Sequence, residues 1–216
     1  MRVQLGRPAH NGAVDTWSID PTSAQVAADV LGMAMEDDPL LPYLIPDAGR
    51  RRKSARAIYL PNVQRVIQEG RADAVGRPMA GVALWIVRPA LAAGCPPTAR
   101  TQSPAVRDPL IELLGADGAG RAETFAAAMQ ELRTLARPDR HAYLDTVGVA
   151  PEYRGKGFAT VLLEAGHAWA DAAGLPCALD TLTDENVAFY RRRGYRVVGT
   201  IDVPGSSLRT TAMRRT

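Results

Sequence analysis

A glycine-rich segment over residues 154–159 is the part of the sequence best suited to chemistry. It consists of Arg154, Gly155, Lys156, Gly157, Phe158 and Ala159, and an apolar pattern with helical spacing follows it at once. The first N–H groups of a helix lack partners within the helix, and the helix dipole places positive charge beside them. Two glycines also let a ligand approach the backbone. The segment therefore predicts a cradle for an anion, most often phosphate.

Two common nucleotide-binding motifs do not fit this segment. A P-loop needs Ser or Thr after its lysine, whereas Lys156 is followed by Gly157. A dinucleotide-binding fingerprint needs a third glycine, and Thr160 occupies that position. A turn of this kind can also serve only to join a strand to a helix, so the anion site needs support from the rest of the sequence.

The elements around the segment predict an α/β unit. Apolar periodicity predicts helices over 157–173 and 185–193 and strands over 141–149, 177–182, 195–203 and 207–213. Strands that alternate with helices in this way imply a crossover connection and one pair of parallel strands.

The sequence before residue 141 has a less regular pattern of apolar residues. It predicts helices over 24–35, 49–69, 108–114 and 122–136, strands over 72–75 and 81–87, and a turn-rich break over 115–120. Pro61 should kink or split the second of these helices. Prolines interrupt residues 40–46, which we expect to form a loop that packs or lines a pocket. Prolines also interrupt residues 88–109, which we expect to be an irregular insertion.

The composition excludes several classes of protein. The 216 residues include 26 basic and 23 acidic side chains, and 24 of the basic ones are Arg. With 46% hydrophobic residues, the chain can bury a core, which excludes disorder along its whole length. A net charge of +3 does not by itself indicate a nucleic-acid partner, and the arginine excess is typical of a GC-rich genome.

The positions of the cysteines and the lengths of the apolar runs indicate the cellular compartment of the protein. Cys95 and Cys177 lie far apart, so the sequence predicts neither a disulfide framework nor a metal site. It has no signal-peptide pattern and no apolar run of the roughly 18 residues that suggest a membrane span. We expect a reduced, cytoplasmic protein without a membrane partner.

Two motifs resemble the signatures of the GNAT family of N-acetyltransferases. Residues 147–159 follow the acyl-CoA-binding pattern V-x-x-x-x-[QR]-x-x-G-x-[GA], with Val149, Arg154, Gly157 and Ala159 at its defined positions. Residues 186–195 are similar to the second signature, which ends in F-Y-x-x-x-G-[FY]. Within this family, the sequence is most similar to puromycin N-acetyltransferase-type members. The similarity is weak between residues 88 and 140.

The resemblance implies a fold and a co-substrate. The GNAT fold is α/β (α+β), and its central mixed, mostly antiparallel sheet is splayed at the acyl-CoA site, with helices on both faces. Residues 1–216 would form a single N-acetyltransferase domain, in which 88–140 are a variable insertion with helices near the acceptor site. Acetyl-CoA is the expected co-substrate, and no metal is expected.

The resemblance also assigns binding roles. The backbone of Val147 and Val149 would pair with the pantetheine arm like an added strand, with Gly148 at a bulge. Residues 154–159 would hold the pyrophosphate, mainly through backbone N–H groups, while Arg154 and Lys156 add positive charge. Asn186 would either contact the cofactor or cap its helix.

Direct attack by an amine needs no protein nucleophile, but it does need proton transfers. Tyr190 matches the family tyrosine that protonates the departing thiolate, for which a phenol is a suitable acid. His141 lies where histone-acetylating relatives carry a glutamate, and it is one candidate for the base. Asp145 on the same strand face and water are the other two. Glu36 and Asp37 lie beside the loop that borders the acceptor site in relatives and could bind a cationic amine.

The leading hypothesis is an acetyl-CoA-dependent N-acetyltransferase that acts on a primary amine of a small molecule. A non-catalytic acyl-CoA-binding regulator of the same fold is the alternative, and the presence of Asn186 and Tyr190 argues against it. A nucleic-acid binder is less well supported, because basic residues cluster only at 50–53 and 191–193. The acceptor and the oligomeric state stay open, and a homodimer would be usual for the family.

Overall fold

A mixed sheet forms the centre of the protein. The computed structural model describes residues 15–90, 104–136 and 139–216, and within them seven strands form one sheet. The strands are β1 (Thr16–Ser18), β2 (Arg71–Val75), β3 (Gly81–Arg88), β4 (His141–Val149), β5 (Cys177–Thr181), β6 (Arg196–Asp202) and β7 (Arg209–Arg215). Their order is β1-β2-β3-β4-β5-β7-β6, and only β4 and β5 are parallel. The predicted mixed, mostly antiparallel sheet with one parallel pair is confirmed.

Helices cover both faces of the sheet. They are α1 (Ala24–Ala34), α2 (Leu40–Leu44), α3 (Ala48–Glu69), α4 (Pro104–Ala136), α5 (Phe158–Ala172) and α6 (Asp184–Arg191). On one face, α1 and α3 pack against β2 and β3, and α4 packs against β6 and β7. On the other face, α5 and α6 cover the core cluster that contains Trp85, Leu144 and Met213. No helix in the described ranges is long and apolar enough to cross a membrane.

Residues 40–46 are not the loop that their prolines suggest. Residues 40–44 form the short helix α2, in which Leu41 and Leu44 are buried. Pro42 lies in its first turn, where an N–H group would have no partner within the helix, so proline costs no hydrogen bond there. The Asp38 carboxylate accepts a hydrogen bond from the Leu40 N–H at 3.1 Å and so stabilises the start of the helix.

Of the two effects expected at Pro61, a kink or a split, the split is wrong. α3 is one helix of 22 residues with Pro61 inside it. Val63 and Val66, which follow the proline, are fully buried in the cluster shared with α1 and the sheet. This packing compensates for the hydrogen bond that proline removes.

The two helices predicted between residues 108 and 136 correspond to the two parts of α4, which meet at a kink at Gly115. Its only non-helical residue is Gly115, with φ 76° and ψ 166°, so the break is shorter than the predicted 115–120. Leu114 and Ala122, on either side of the break, both pack against α2. Most of the insertion predicted over 88–109 lies outside the described residues.

His167 on α5 is held in a neutral state by its surroundings. Its Nε2 lies 2.9 Å from the Tyr195 hydroxyl oxygen, and its ring meets that of Trp85 edge-on at 6.0 Å between centroids. Burial, followed by the positive charge of Arg215, lowers the pKa of His167 to about 4.

We expect His167 to make folding stability depend on pH. Its ordinary pKa is 6.5, so between that value and about 4 the unfolded chain binds a proton that the folded chain does not. The free energy of unfolding should therefore fall as the pH is lowered through this window. Urea unfolding of the wild type and His167→Gln should give a shallower pH dependence for the variant. His141, whose pKa burial also lowers, is present in both proteins. Parallel curves would contradict the assignment to His167.

Candidate functional site

β4 and β5 separate soon after they begin, and we call the opening between them the fork. They pair only at Ala142 with Cys177 and at Tyr143 with Ala178. β4 continues to Val149, so the edge of residues 144–149 that faces β5 has no strand partner there. Unpaired backbone of this kind is a template for an added extended chain. The fork therefore offers the backbone geometry expected for a pantetheine arm.

The β-bulge in β4 lies at Asp145, and the prediction of a bulge at Gly148 is wrong. Leu84 pairs with Thr146 and Trp85 with Leu144, so Asp145 is the extra residue, whereas Gly148 pairs in register with Val82. Gly148 serves another purpose. A Cβ there would lie 2.7 Å from the Ala34 Cβ, so glycine lets the end of α1 approach the strand.

The bulge also sets which side chains face which side of the sheet. Val147 and Val149 pack against the core cluster on the α5 side. Asp145 instead faces α3, where it accepts hydrogen bonds from Asn62 at 2.6 Å and Arg65 at 3.2 Å. Side chains of β4 can thus contact a ligand on either face of the sheet.

Residues 155–159 form the cradle, a run of unpaired backbone donors at the start of α5. None of their N–H groups donates a hydrogen bond to another described residue. Gly155 and Gly157 have φ of 76° and 81°, which favours glycine, and a Cβ on either would point into open space. The cradle is therefore open to an anion at the positive end of the helix dipole.

The two cationic side chains beside the cradle differ in position. Arg154 lines the cavity, and its Nη2 donates to the Ala34 carbonyl oxygen at 2.9 Å, which ties the turn to α1. Lys156 is exposed, with its Nζ 5.0 Å from the centroid of the Tyr153 ring. Both can add positive charge, but the converging donors are backbone groups.

One cavity joins the fork to the cradle and to the opposite face of the sheet. Its volume is about 820 Å³. The α5 and α6 side is lined by Val149, Ala159, Asn186, Phe189 and Tyr190, among others. The opposite side is lined by residues from the α1–α2 turn, α3 and α4, which include Asp37, Asp38, Tyr59, Phe125, Met129 and Arg133.

Tyr190 lies on the cavity wall and is 7% exposed. Its ring packs edge-on against Phe189 and Tyr195, and its hydroxyl makes no hydrogen bond to another described residue. Burial raises the pKa of Tyr190, the positive charge of Arg193 opposes this shift in part, and the negative charge of Asp38 adds to it. The phenol is therefore protonated near neutral pH and can donate a proton into the cavity.

Asn186 is not the cap of α6. Thr183 is, since its Oγ1 accepts the Asn186 N–H at 3.2 Å. The Asn186 side chain is exposed and lines the cavity, so of its two predicted roles only the contact to the cofactor fits its position.

His141 does not line the cavity. It is 3% exposed, pairs with Arg88 across the sheet, and its Nδ1 lies 2.5 Å from the Asp139 carbonyl oxygen. A base at His141 would have to reach the acceptor through intervening groups. Asp145 does line the cavity, as does Asp37, while Glu36 forms an ion pair with Arg52 at 3.0 Å.

Several cavity residues had no signal in the sequence. Asp38, Arg88, Arg133, Tyr143 and Asp180 come from distant elements and converge only in the folded chain. The Tyr143 hydroxyl donates to Asp180 Oδ2 at 2.6 Å, and burial raises the pKa of both groups. Among the described side chains, no three His, Cys, Asp or Glu lie close enough together to hold a metal ion.

A family model and solved structures match this chain. The model of the acetyltransferase (GNAT) family matches residues 121–195, about a third of the chain, which includes the fork, the cradle and α6. A structure described as histone acetyltransferase HPA2 and related acetyltransferase, from Corynebacterium glutamicum, is 20% identical, with a TM-score of 0.66 over 94% of this chain and 95% of that one.

Two insect enzymes have similar structures. The polyamine N-acetyltransferase of Drosophila melanogaster is 13% identical, with a TM-score of 0.62 over 94% of this chain and 99% of that one. Arylalkylamine N-acetyltransferase 2 of Aedes aegypti is 14% identical, with a TM-score of 0.62 over 94% and 98%. At these identities the likeness is one of fold, and the fold matches that of GNAT acetyltransferase structures.

Proposed function

We propose that this protein is a GNAT acetyltransferase that transfers an acetyl group from acetyl-CoA to a primary amine of a small molecule. The observation that carries the proposal is that the fork, the cradle and Tyr190 border one cavity. The family match over residues 121–195 supports the same activity. The substrate names of the structural neighbours, which include polyamines and arylalkylamines, make an amine acceptor the first class to test.

The residues of the site suit both ends of acetyl-CoA. The unpaired edge of residues 144–149 can pair with the amides of the pantetheine arm, and the cradle can bind the pyrophosphate. Asn186 and Arg154 line the same cavity and are proposed to contact the cofactor.

The proposed reaction is a direct attack of the amine nitrogen on the thioester carbonyl carbon. The new C–N bond forms as the C–S bond breaks, and the thiolate takes the proton of the Tyr190 hydroxyl. The amine loses its proton to a cavity carboxylate or to water. Asp38 and Asp145 both line the cavity, and burial raises the pKa of Asp38, so these carboxylates fit the role of base better than the distant His141.

We also propose that residues 1–216 form a single domain, since one sheet contains strands from Thr16 to Arg215. In that domain, α4 from the 88–140 insertion supplies Phe125, Met129 and Arg133 to the acceptor side. The puromycin N-acetyltransferase-type resemblance adds puromycin to the candidate acceptors.

An amine panel tests the activity. The protein is incubated with acetyl-CoA and with polyamines, arylalkylamines, amino acids, aminoglycosides or puromycin, and free thiol is followed. We expect thiol release that depends on one class of amine, with a stoichiometric N-acetylated product by mass spectrometry. Binding of acetyl-CoA without transfer to any amine would instead favour the non-catalytic regulator.

A further inference from the structure

Two arginines at one end of the cavity have no ion-pair partner among the described residues. Arg88 and Arg133 both line the wall, and neither lies within 4.0 Å of a carboxylate oxygen of any described residue. The Arg88 Cζ lies 3.2 Å from the centroid of the Tyr143 ring, and the Arg133 Cζ lies 5.9 Å from it. Both guanidinium groups thus lie near the same aromatic ring.

The surroundings of Arg88 disfavour its charged form. Burial lowers the pKa of Arg88, and the positive charge of Arg133 lowers it further, while Tyr143, Asp145 and Asp180 only partly offset these effects. The Arg133 Nε is buried and has no hydrogen-bond acceptor. Asp180 interacts electrostatically with both arginines, but it accepts the Tyr143 hydroxyl and lies beyond ion-pair distance of either guanidinium group. A bound anion would offset the repulsion and satisfy the free donors, and guanidinium groups match carboxylate or phosphate in geometry.

Carboxylates line the cavity near Tyr190 and Tyr59. Burial raises the pKa of both phenols, and the negative charge of Asp38 contributes to both shifts, so Asp38 lies near both phenols. At Tyr190 the positive charge of Arg193 has a larger, opposite effect on the pKa, but Arg193 does not line the cavity. Asp37 also lines this wall. Phe125, Met129 and Leu40 provide apolar surface in the same cavity. The cavity therefore presents a carboxylate near Tyr190, where an amine would react, and two guanidinium groups near Tyr143.

We infer that the acceptor is a zwitterion, whose anionic group is bound by Arg88 and Arg133 while its amine reaches the fork. The inference rests on the proposed function and specifies the substrate class of the same site. β4 rises about 3.3 Å per residue, and residues 145–146 in the unpaired edge of the fork lie two to three residues beyond Tyr143. The anion and the amine should therefore be about 7–10 Å apart, with an apolar spacer between them.

Three amines of matched length test the charge at the far end. 6-Aminohexanoate has an anionic tail, hexylamine a neutral tail and 1,6-diaminohexane a cationic tail. Acetyl-CoA binding is first measured by calorimetry, and thiol release then gives kcat/KM for each amine. We expect kcat/KM for 6-aminohexanoate to exceed that for each of the other two at least about 10-fold. 6-Aminohexyl phosphate is a fourth amine, which distinguishes a phosphate from a carboxylate as the preferred anion.

Variants connect this preference to the two arginines. Arg133→Gln and Arg88→Gln should each raise KM for 6-aminohexanoate about 10-fold or more, with little change for hexylamine. Arg133→Lys keeps the charge and should restore part of the preference. Arg196→Gln is the matched control, because Arg196 is exposed on β6 and does not line the cavity.

The outcomes separate the inference from the proposed function. Failure to bind acetyl-CoA would overturn the proposed function. Binding with a preference for hexylamine or the diamine would overturn the zwitterion inference alone. The zwitterion inference alone would also be overturned if acetyl-CoA binds but no amine of the set reacts, or if Arg133→Gln affects all amines equally.

Discussion

Replacing Gly157 with leucine should weaken acetyl-CoA binding by about 100-fold or more. Gly157 precedes α5 with φ of 81°, and a side chain there would both strain the backbone and fill the open side of the cradle. The loss of two hydrogen bonds to a charged group corresponds to about 3–6 kcal/mol, which is enough for such an effect. Isothermal titration calorimetry with acetyl-CoA measures it directly.

Gly174→Leu is the matched control for Gly157→Leu. Gly174 has φ of 65° at the far end of α5, and a Cβ there also meets nothing within 4 Å. Both variants should lose similar stability, about 1–2 kcal/mol for a residue forced into a left-handed conformation, but only Gly157→Leu should lose affinity. Equal affinities in the two variants would contradict a binding role for the cradle.

Tyr190→Phe should lower kcat about 100-fold or more while the Kd for acetyl-CoA changes little. The substitution removes a phenol that is protonated at neutral pH and faces the cavity, and it keeps the ring that packs against Phe189 and Tyr195. Loss of a well-placed general acid typically costs 10²–10⁴-fold in rate. Steady-state kinetics with the best amine of the panel gives kcat, and calorimetry gives Kd.

Tyr195→Phe controls for the loss of a buried phenol. Tyr195 packs edge-on against Tyr190 and shares a hydrogen bond with His167, but it does not line the cavity. This variant should be less stable than the wild type and turn over at nearly the same rate. If Tyr190→Phe also kept its kcat, Tyr190 would not be the acid.

The carboxy-terminal half of the fold could be predicted because its local signals agree. The apolar stripe over 157–173 and the glycine at 174 predict α5 to within one residue at each end. The strand over 141–149 matches β4. Helix period, capping and strand alternation all favour the same structure there, so no distant contact has to override them.

The parts that sequence did not predict depend on tertiary contacts. Proline signals suggested a loop at 40–46 and a break at Pro61, but the burial of Leu41, Leu44, Val63 and Val66 outweighs them. Gly148 looked like a bulge, although its small size accommodates the end of α1. A bulge at Asp145 depends on the register with β3, which a single strand does not specify.

The candidate site also contains residues that the sequence predicted and residues that it did not. Tyr190, Asn186 and the cradle lie in continuous motifs and line or adjoin one cavity. Arg88, Arg133 and Asp180 lie on three separate elements with no common motif, so only the folded chain brings them together. His141 shows the limit of placing a role by position along a strand, since its side chain lies off the cavity wall.

Different parts of the chain line the two sides of the fork. Residues between 147 and 192 line the cradle side, whereas positions 37–59, Arg88 and the α4 residues 125–133 line much of the other. For protein engineering, the residues on the cradle side can be kept constant, and we call them the donor unit. The residues on the other side can be replaced, and we call them the acceptor wall. A mutant library restricted to the acceptor wall can therefore be selected for new amines while the donor unit stays unmutated.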